Sequence, residues 1–76
     1  MYYVYVLKLK DGTYYTGYSS DLKQRIKTHF KGLVSHTKKV EELAFYCAFK
    51  SKLKALTFEK YLKSGSGFAF RNKRLV

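Results

Sequence analysis

The sequence predicts an α+β fold in which a small three-stranded antiparallel sheet is flanked by helices, in the order β-β-α-β-α. Two observations predict it: three segments are dense in β-branched and aromatic residues, and two others repeat apolar residues at helical spacing. A chain of 76 residues is long enough for one small core, and with 46% hydrophobic residues it is too apolar for a disordered basic tail. We therefore expect residues 1–76 to form a single domain.

The first two strands are predicted to form a hairpin. Residues 2–9 and 14–18 are rich in tyrosine and valine, and Asp11-Gly12 between them is a hairpin turn signal. Gly17, inside the second strand, indicates a bulge or the close approach of another backbone. Six of the eight tyrosines fall within these first eighteen residues. Cross-strand packing explains most of them, although several buried hydroxyls would then need partners.

A helix is predicted from Asp21 to about Lys31, because apolar residues recur every four positions, with Asp21 as a capping or first-turn acid. Gly32 is expected to stop it. The polar residues 33–42 indicate an irregular segment.

The second half of the chain predicts a strand, a helix and a tail. The apolar run 43–50 is best explained as a central strand. Ser51 can cap a helix that runs to about Lys63. Its leucines are expected to be buried: Leu53, Leu56 and Leu62. The segment 64–67 ends this helix, and a basic-aromatic tail, 68–76, closes the chain.

The charge predicts a polyanionic partner. Sixteen Lys and Arg against five Asp and Glu give a net charge of +11, which favours nucleic acid. The alternative is a charge that serves solubility alone. The single cysteine and the lack of a secretory or membrane-spanning segment predict a cytoplasmic protein with no membrane partner.

Among the five acids, Glu59 is the one without an evident local use in a turn, a cap or on the surface. The other four have local uses in turns, caps or on the surface, whereas Glu59 borders the apolar face of the second helix. Any metal site would rest on this single carboxylate, and chemistry that needs clustered carboxylates is therefore hard to assemble. The alternative is an i,i+4 ion pair with Lys63.

Three other patterns have more than one interpretation. Arg25 and His29 lie four residues apart on one helix face, and the guanidinium fork suits two phosphate oxygens. The alternative is a solvated helix flank. Cys47 with His29 or His36 is a possible nucleophile pair, although a cysteine in so apolar a segment is usually inert. Zinc spacing is absent. Gly65-x-Gly67 follows a helix and is therefore interpreted as a C-cap and flexible turn rather than a phosphate loop.

Three short motifs follow one another in the first thirty residues. They are Val4-Tyr5, Tyr15-Thr16-Gly17 and Asp21-Leu22-x-x-Arg25-x-x-x-His29. The set resembles the GIY-YIG nuclease domain and, more narrowly, the short stand-alone proteins related to the N-terminal nuclease domain of excinuclease C. The later helix, with Phe58-Glu59-Lys60-x-Leu62-Lys63, also fits. The resemblance covers about residues 2–65.

The resemblance implies phosphodiester hydrolysis with one divalent cation, Mg²⁺ or Mn²⁺. Glu59 would bind the metal, and Arg25 would clamp the phosphate. Tyr5 or Tyr15 would activate or position the attacking water, and His29 would be an alternative that relays or takes the proton. Gly17 is the glycine of the motif.

There are departures from the family pattern. Tyr3 replaces a glycine, Val4 and Thr16 replace isoleucines, and Tyr18 stands where the excision-repair branch has a lysine. Three residues are weaker candidates for contacts with nucleic acid: Tyr18, Lys63 and Asn72.

The expected function is a metal-dependent DNA endonuclease of a repair type or a structure-selective nicking type. The first alternative is a non-catalytic nucleic-acid-binding module of the same fold. The second is a ribosome-associated or protein-interaction domain. The oligomeric state is left open.

Overall fold

The computed structural model describes residues 1–30 and 40–76. The elements along the chain are β1 (Tyr2–Leu9), β2 (Tyr14–Ser19), α1 (Leu22–Phe30), β3 (Val40–Phe49), α2 (Lys52–Leu62), α3 (Gly65–Phe70) and a π-helical segment (Arg71–Leu75). The predicted α+β class with a three-stranded antiparallel sheet is confirmed. The predicted stop at Gly32 and most of the irregular segment lie outside the described residues.

β1 is the central strand of the sheet, whose order is β2-β1-β3. The prediction that 43–50 forms the central strand is therefore wrong, because β3 pairs with β1 on one side only. β3 also begins earlier than expected, at Val40. The hairpin register runs without a break from Tyr3↔Ser19 to Lys8↔Tyr14, so Gly17 marks no bulge. The register shifts lie between β1 and β3 instead.

The sheet separates two apolar clusters, because successive side chains of β1 point to opposite faces. On one face, Val4 and Val6 pack with Ala55 and Leu62 of α2. On the other, the buried residues are Tyr5, Leu7, Leu9 and Val40, with Leu22 and Ile26 of α1 against them. We call these the α2 face and the α1 face.

Both predicted helix caps are present. The Gln24 amide donates to Asp21 Oδ1 at 3.1 Å, and the Lys54 amide donates to Ser51 Oγ at 3.2 Å. Each cap satisfies one of the free N–H groups of a first helical turn.

The predicted burial of α2 is wrong for two of its three leucines. Leu53 is 75% exposed and Leu56 37% exposed, whereas Leu62 is fully buried. The reason is the helix phase: Ala55 and Leu62, seven positions apart, lie on one side of α2 and meet the sheet, which turns Leu53 outward.

The C-terminal segment is helical rather than a tail, and Gly65-x-Gly67 opens a helix instead of forming a flexible turn. Ser64 caps α3, its Oγ accepting the Gly67 amide at 3.3 Å. A Cβ on Gly67 would overlap the backbone of Tyr61 and Leu62. Only glycine therefore lets α3 pack this closely on the end of α2.

Arg71 anchors the C-terminal segment to the hairpin. Its side chain is buried, donates to Thr16 Oγ1 at 3.1 Å, and donates through Nε and Nη2 to Asn72 Oδ1 at 3.1 and 3.0 Å. The guanidinium lies 4.4 Å from the centroid of the Phe68 ring and 5.5 Å from that of Tyr14. These contacts hold a buried cation by hydrogen bonds and ring faces.

Across the described residues, no helix is both long and apolar enough to span a bilayer.

Candidate active site

The candidate site is built on the α1 face around Tyr5, which is 1% exposed. Tyr5 and Gly17 are direct cross-strand partners, and a Cβ on Gly17 would overlap the Tyr5 ring at Cζ and Oη. The predicted close approach at Gly17 is therefore present, but it comes from a side chain and not from another backbone. The missing side chain of Gly17 is what lets the Tyr5 ring lie across β2.

The hydroxyl of Tyr5 is hydrogen-bonded to His29 Nε2 at 2.6 Å. His29 comes from the last turn of α1, lies 24 residues away in the chain and is 3% exposed. Its other ring nitrogen, Nδ1, is buried and has no hydrogen-bond partner among residues 1–30 and 40–76. The His29 ring is therefore held through one nitrogen, by Tyr5.

Tyr15 completes an aromatic group with these two residues. Its ring centroid lies 6.4 Å from that of Tyr5 and 5.4 Å from that of His29, and the Tyr5 and His29 centroids are 5.3 Å apart. All three rings are mutually tilted, a favourable geometry for aromatic contacts. Tyr15 is half-buried, and it is thus more accessible to solvent than the other two.

Three of the four other candidate groups act electrostatically on the Tyr5 hydroxyl: Tyr15, Arg25 and Glu59. Burial raises the pKa of Tyr5 well above its ordinary value, and the neighbouring Tyr15 raises it further. Arg25 lowers the same pKa, and the Glu59 carboxylate raises it. Arg25 from α1 and Glu59 from α2 therefore both lie within electrostatic range of this hydroxyl, which holds its proton at neutral pH.

His29 is uncharged at neutral pH. Burial lowers the pKa of its imidazole from 6.5 to about 4, and the nearby Arg25 cation lowers it as well. The imidazole is thus available as a proton acceptor at pH 7, although burial makes it a weak one.

Glu59, on α2, raises the pKa of Tyr5 through its charge and forms the predicted ion pair. Lys63 Nζ lies 3.1 Å from Glu59 Oε2, and the Glu59 side chain is 20% exposed. No group of three or more His, Cys, Asp or Glu that could hold a metal occurs in residues 1–30 and 40–76. A one-carboxylate site fits Mg²⁺, which keeps several waters and takes its remaining ligands from substrate phosphate.

Two of the weaker candidates are engaged elsewhere. Tyr18 lies on the α2 face, where it stacks on Tyr2 with centroids 6.4 Å apart, and the Asn72 carbonyl oxygen accepts twice from Arg71. Neither joins the group around Tyr5.

A Cys47–His29 nucleophile pair is excluded by the sheet. Cys47 packs on the α2 face and His29 contacts Tyr5 on the α1 face. Burial also raises the pKa of the Cys47 thiol, which disfavours the thiolate. The other predicted partner, His36, lies outside the described residues.

Comparisons with known proteins show the family of this chain. Residues 1–73 match the family model described as the GIY-YIG catalytic domain. The chain is 40% identical to the UPF0213 protein YazA of Bacillus subtilis over 65 residues, which cover 82% of this chain and 66% of YazA. It is 35% identical to the UPF0213 protein SSP2268 of Staphylococcus saprophyticus, covering 97% of this chain and 89% of that protein.

The fold is also similar to a solved structure, the solution NMR structure of the UPF0213 protein BH0048 from Bacillus halodurans. The TM-score is 0.60 and the identity 33%, with 99% of this chain and 87% of that chain covered.

Proposed function

Because the chain belongs to the GIY-YIG catalytic domain family, a nuclease-type family, we propose that it is a divalent-metal-dependent endonuclease that hydrolyses phosphodiester bonds of DNA. The observation that carries the proposal is the convergence on one hydroxyl: Tyr5 bonds His29, and its pKa responds to Arg25 and Glu59. The choice of DNA rests on the resemblance of the motifs to the nuclease domain of excinuclease C.

Arg25 binds the scissile phosphate in this proposal. Its side chain is exposed on α1 and can meet an incoming strand, while its charge already acts on Tyr5 and His29. A guanidinium can donate to two phosphate oxygens at once and stabilise the negative charge that grows on them as the bond breaks.

Tyr5 and His29 move the proton of the attacking water. In this proposal neutral His29 carries its hydrogen on Nδ1, so the Tyr5 hydroxyl donates to Nε2 and a lone pair of its oxygen is free to accept from a water. As the water attacks phosphorus, its proton passes to Tyr5, and the Tyr5 proton passes to His29. A phosphate beside Arg25 would offset the charge that lowers the His29 pKa, and so would make the imidazole a better base when substrate is bound.

Tyr15 positions the water and the Tyr5 ring, since it is the more accessible of the two tyrosines and its ring lies against both Tyr5 and His29. Glu59 would hold the metal. When bound, a divalent ion polarises the phosphate and stabilises the departing oxygen. Lys63 would leave the Glu59 carboxylate when the ion binds, because an i,i+4 ion pair on a helix is worth little.

A cleavage assay tests the proposal. Supercoiled plasmid, single-stranded and branched DNA, and RNA of matched sequence are incubated with protein in Mg²⁺, Mn²⁺ or EDTA. We expect DNA cleavage that requires the metal and that falls at least about a hundredfold in Glu59→Gln. Glu41→Gln is the matched control, because Glu41 is an exposed glutamate of β3 whose carboxylate pairs with Lys8, 3.3 Å away.

Two results would contradict the proposal. Equal cleavage by wild type and Glu59→Gln would remove Glu59 from the reaction. Binding whose log K falls linearly with log salt, without any metal-dependent cleavage, would instead favour the non-catalytic binding module, which the charge of +11 alone could support.

A further inference from the structure

An exposed aromatic side chain stands on the candidate active face. Tyr46 of β3 is 56% exposed and belongs to neither apolar cluster. Within residues 1–30 and 40–76 no other ring packs against it. An exposed tyrosine needs no explanation by itself, and its position is what makes this one informative.

Tyr46 is the direct cross-strand partner of Tyr5. Cross-strand partners point to the same face and have Cβ atoms ~5 Å apart. Tyr46 therefore projects from the α1 face immediately beside the residue at the centre of the site. The Tyr5 ring lies over Gly17 of β2, away from β3. Tyr46 is therefore the tyrosine on the β3 side of the site.

The surface next to Tyr46 is open. Ala48, two residues along β3 and hence on the same face, is exposed and has only a methyl side chain. The Tyr46 ring can therefore be approached from the Ala48 side of the strand.

We propose that Tyr46 forms a nucleobase-binding surface that stacks an unpaired base next to the phosphate that Arg25 binds beside Tyr5. This inference rests on the proposed function and names its substrate class. Bases inside a duplex stack on each other and expose only their edges, so a side-chain ring can stack only on a base that is single-stranded, terminal or extruded. The site then favours strands with unpaired nucleotides over continuous duplex.

The test measures binding without cleavage. A single-stranded oligonucleotide containing one 2-aminopurine, and the duplex of the same sequence, are titrated in EDTA at fixed salt. Stacking on an aromatic ring quenches 2-aminopurine fluorescence. We expect wild type to quench it and Tyr46→Val, which keeps a strand-forming residue, to lose the quench and bind the single strand about tenfold more weakly, with duplex affinity within about twofold.

Two variants serve as controls. Tyr46→Phe keeps a ring and should behave as wild type. Tyr61→Val removes a 42% exposed tyrosine on α2, on the other side of the sheet, and should leave the quench unchanged. Tyr46→Val that still quenches, or that loses equal affinity for single strand and duplex, overturns the proposal.

Wild-type protein offers a measurement that requires no variant. The ring protons of Tyr46 should shift on addition of the single strand, and more than those of Tyr61; unshifted Tyr46 signals overturn the proposal even if Tyr46→Val does not fold. The binding assay is independent of catalysis. Quenching by Tyr46 without metal-dependent cleavage would support the base-binding surface and refute the nuclease proposal. Metal-dependent cleavage without quenching by Tyr46 would support the nuclease proposal and refute the base-binding surface.

Discussion

The ring of Tyr5 occupies the space into which a side chain on Gly17 would project. The two residues are cross-strand partners in the β1–β2 hairpin, so a glycine on one strand determines where the aromatic ring of the other can lie. The same ring position brings the Tyr5 hydroxyl to 2.6 Å from His29 Nε2. The glycine of the motif is thus a steric condition for the hydrogen bond at the centre of the site.

Gly17→Ala should disturb both the fold and the site. The new methyl group must displace a buried ring, and overpacking of this kind costs ~1–3 kcal/mol of unfolding free energy. We expect lower stability in urea and loss of the Tyr5–His29 contact. Gly65→Ala is the matched control, because a Cβ there meets no atom within 4 Å, and its stability should stay within about 0.5 kcal/mol of wild type. Equal stability of Gly17→Ala and Gly65→Ala would contradict the steric argument.

Stability should fall as the pH drops through the range set by His29. In the unfolded chain its imidazole takes a proton near pH 6.5, whereas in the folded protein the pKa is about 4. The unfolded state therefore binds more protons between these values, and the folded state loses ~1.4 kcal/mol per pH unit, up to about 3 kcal/mol at pH 4.

Urea unfolding at several pH values measures this loss. His29→Gln serves as the comparison because it shares every carboxylate of wild type but lacks the imidazole, so its stability should depend less on pH between 6.5 and 4. Parallel curves for the two proteins would show that His29 is not the cause.

Replacing Arg25 by glutamine should raise the pKa of His29. Arg25 is the second cause of the low value and burial is the first, so the pKa should rise but stay below 6.5. Titration of the His29 ring protons by NMR measures this directly. Arg74→Gln, which removes an exposed arginine from the C-terminal segment, should leave the His29 titration in place. A His29 pKa that is the same in Arg25→Gln and wild type would contradict the electrostatic coupling between Arg25 and His29.

Arg71→Lys should destabilise the fold although the charge is kept. An ammonium cannot make the three hydrogen bonds to Thr16 and Asn72, nor stack flat between Phe68 and Tyr14. We expect a loss of ~2 kcal/mol, seen as a drop of about 10 °C in Tm. Arg74→Lys, at an exposed position, should change Tm by little. A Tm for Arg71→Lys equal to that of Arg74→Lys would show that the guanidinium geometry does not matter.

Local signals in the sequence predicted the local structure well. The Asp11-Gly12 turn, with Gly12 at φ +88°, and the caps at Asp21 and Ser51 depend on neighbouring residues only. The same is true of the element order, because each segment carries its own apolar period.

The position of β3 could not be predicted in this way. Its apolar run indicated a central strand, but Phe45, Cys47 and Phe49 are apolar because they pack against the α2 face, not because a strand lies on each side. The C-terminal helix was missed because its glycines suggested a turn. Gly67 is there for close packing on α2, a requirement that appears only when both helices are in place.

The candidate site, too, could be predicted only in part. The residue types and their order indicated Tyr5, Arg25 and Glu59. The pairing of Tyr5 with His29, by contrast, joins residues 24 positions apart and depends on how α1 packs on the sheet. The role of Arg71 gave no signal either, since a basic residue in a basic segment is ordinarily exposed.

α2 contributes both to the core and to the proposed site. Ala55 and Leu62 cover the α2 face of the sheet, and Glu59 supplies a carboxylate. During synthesis the hairpin and α1 leave the ribosome first, and a two-stranded hairpin is marginal in water by itself. In the proposed mechanism, a nascent or truncated chain that lacks α2 would have the positive charge to hold nucleic acid and no means of cutting it. In that mechanism the chain would gain its metal-binding carboxylate in the same folding step that completes its core.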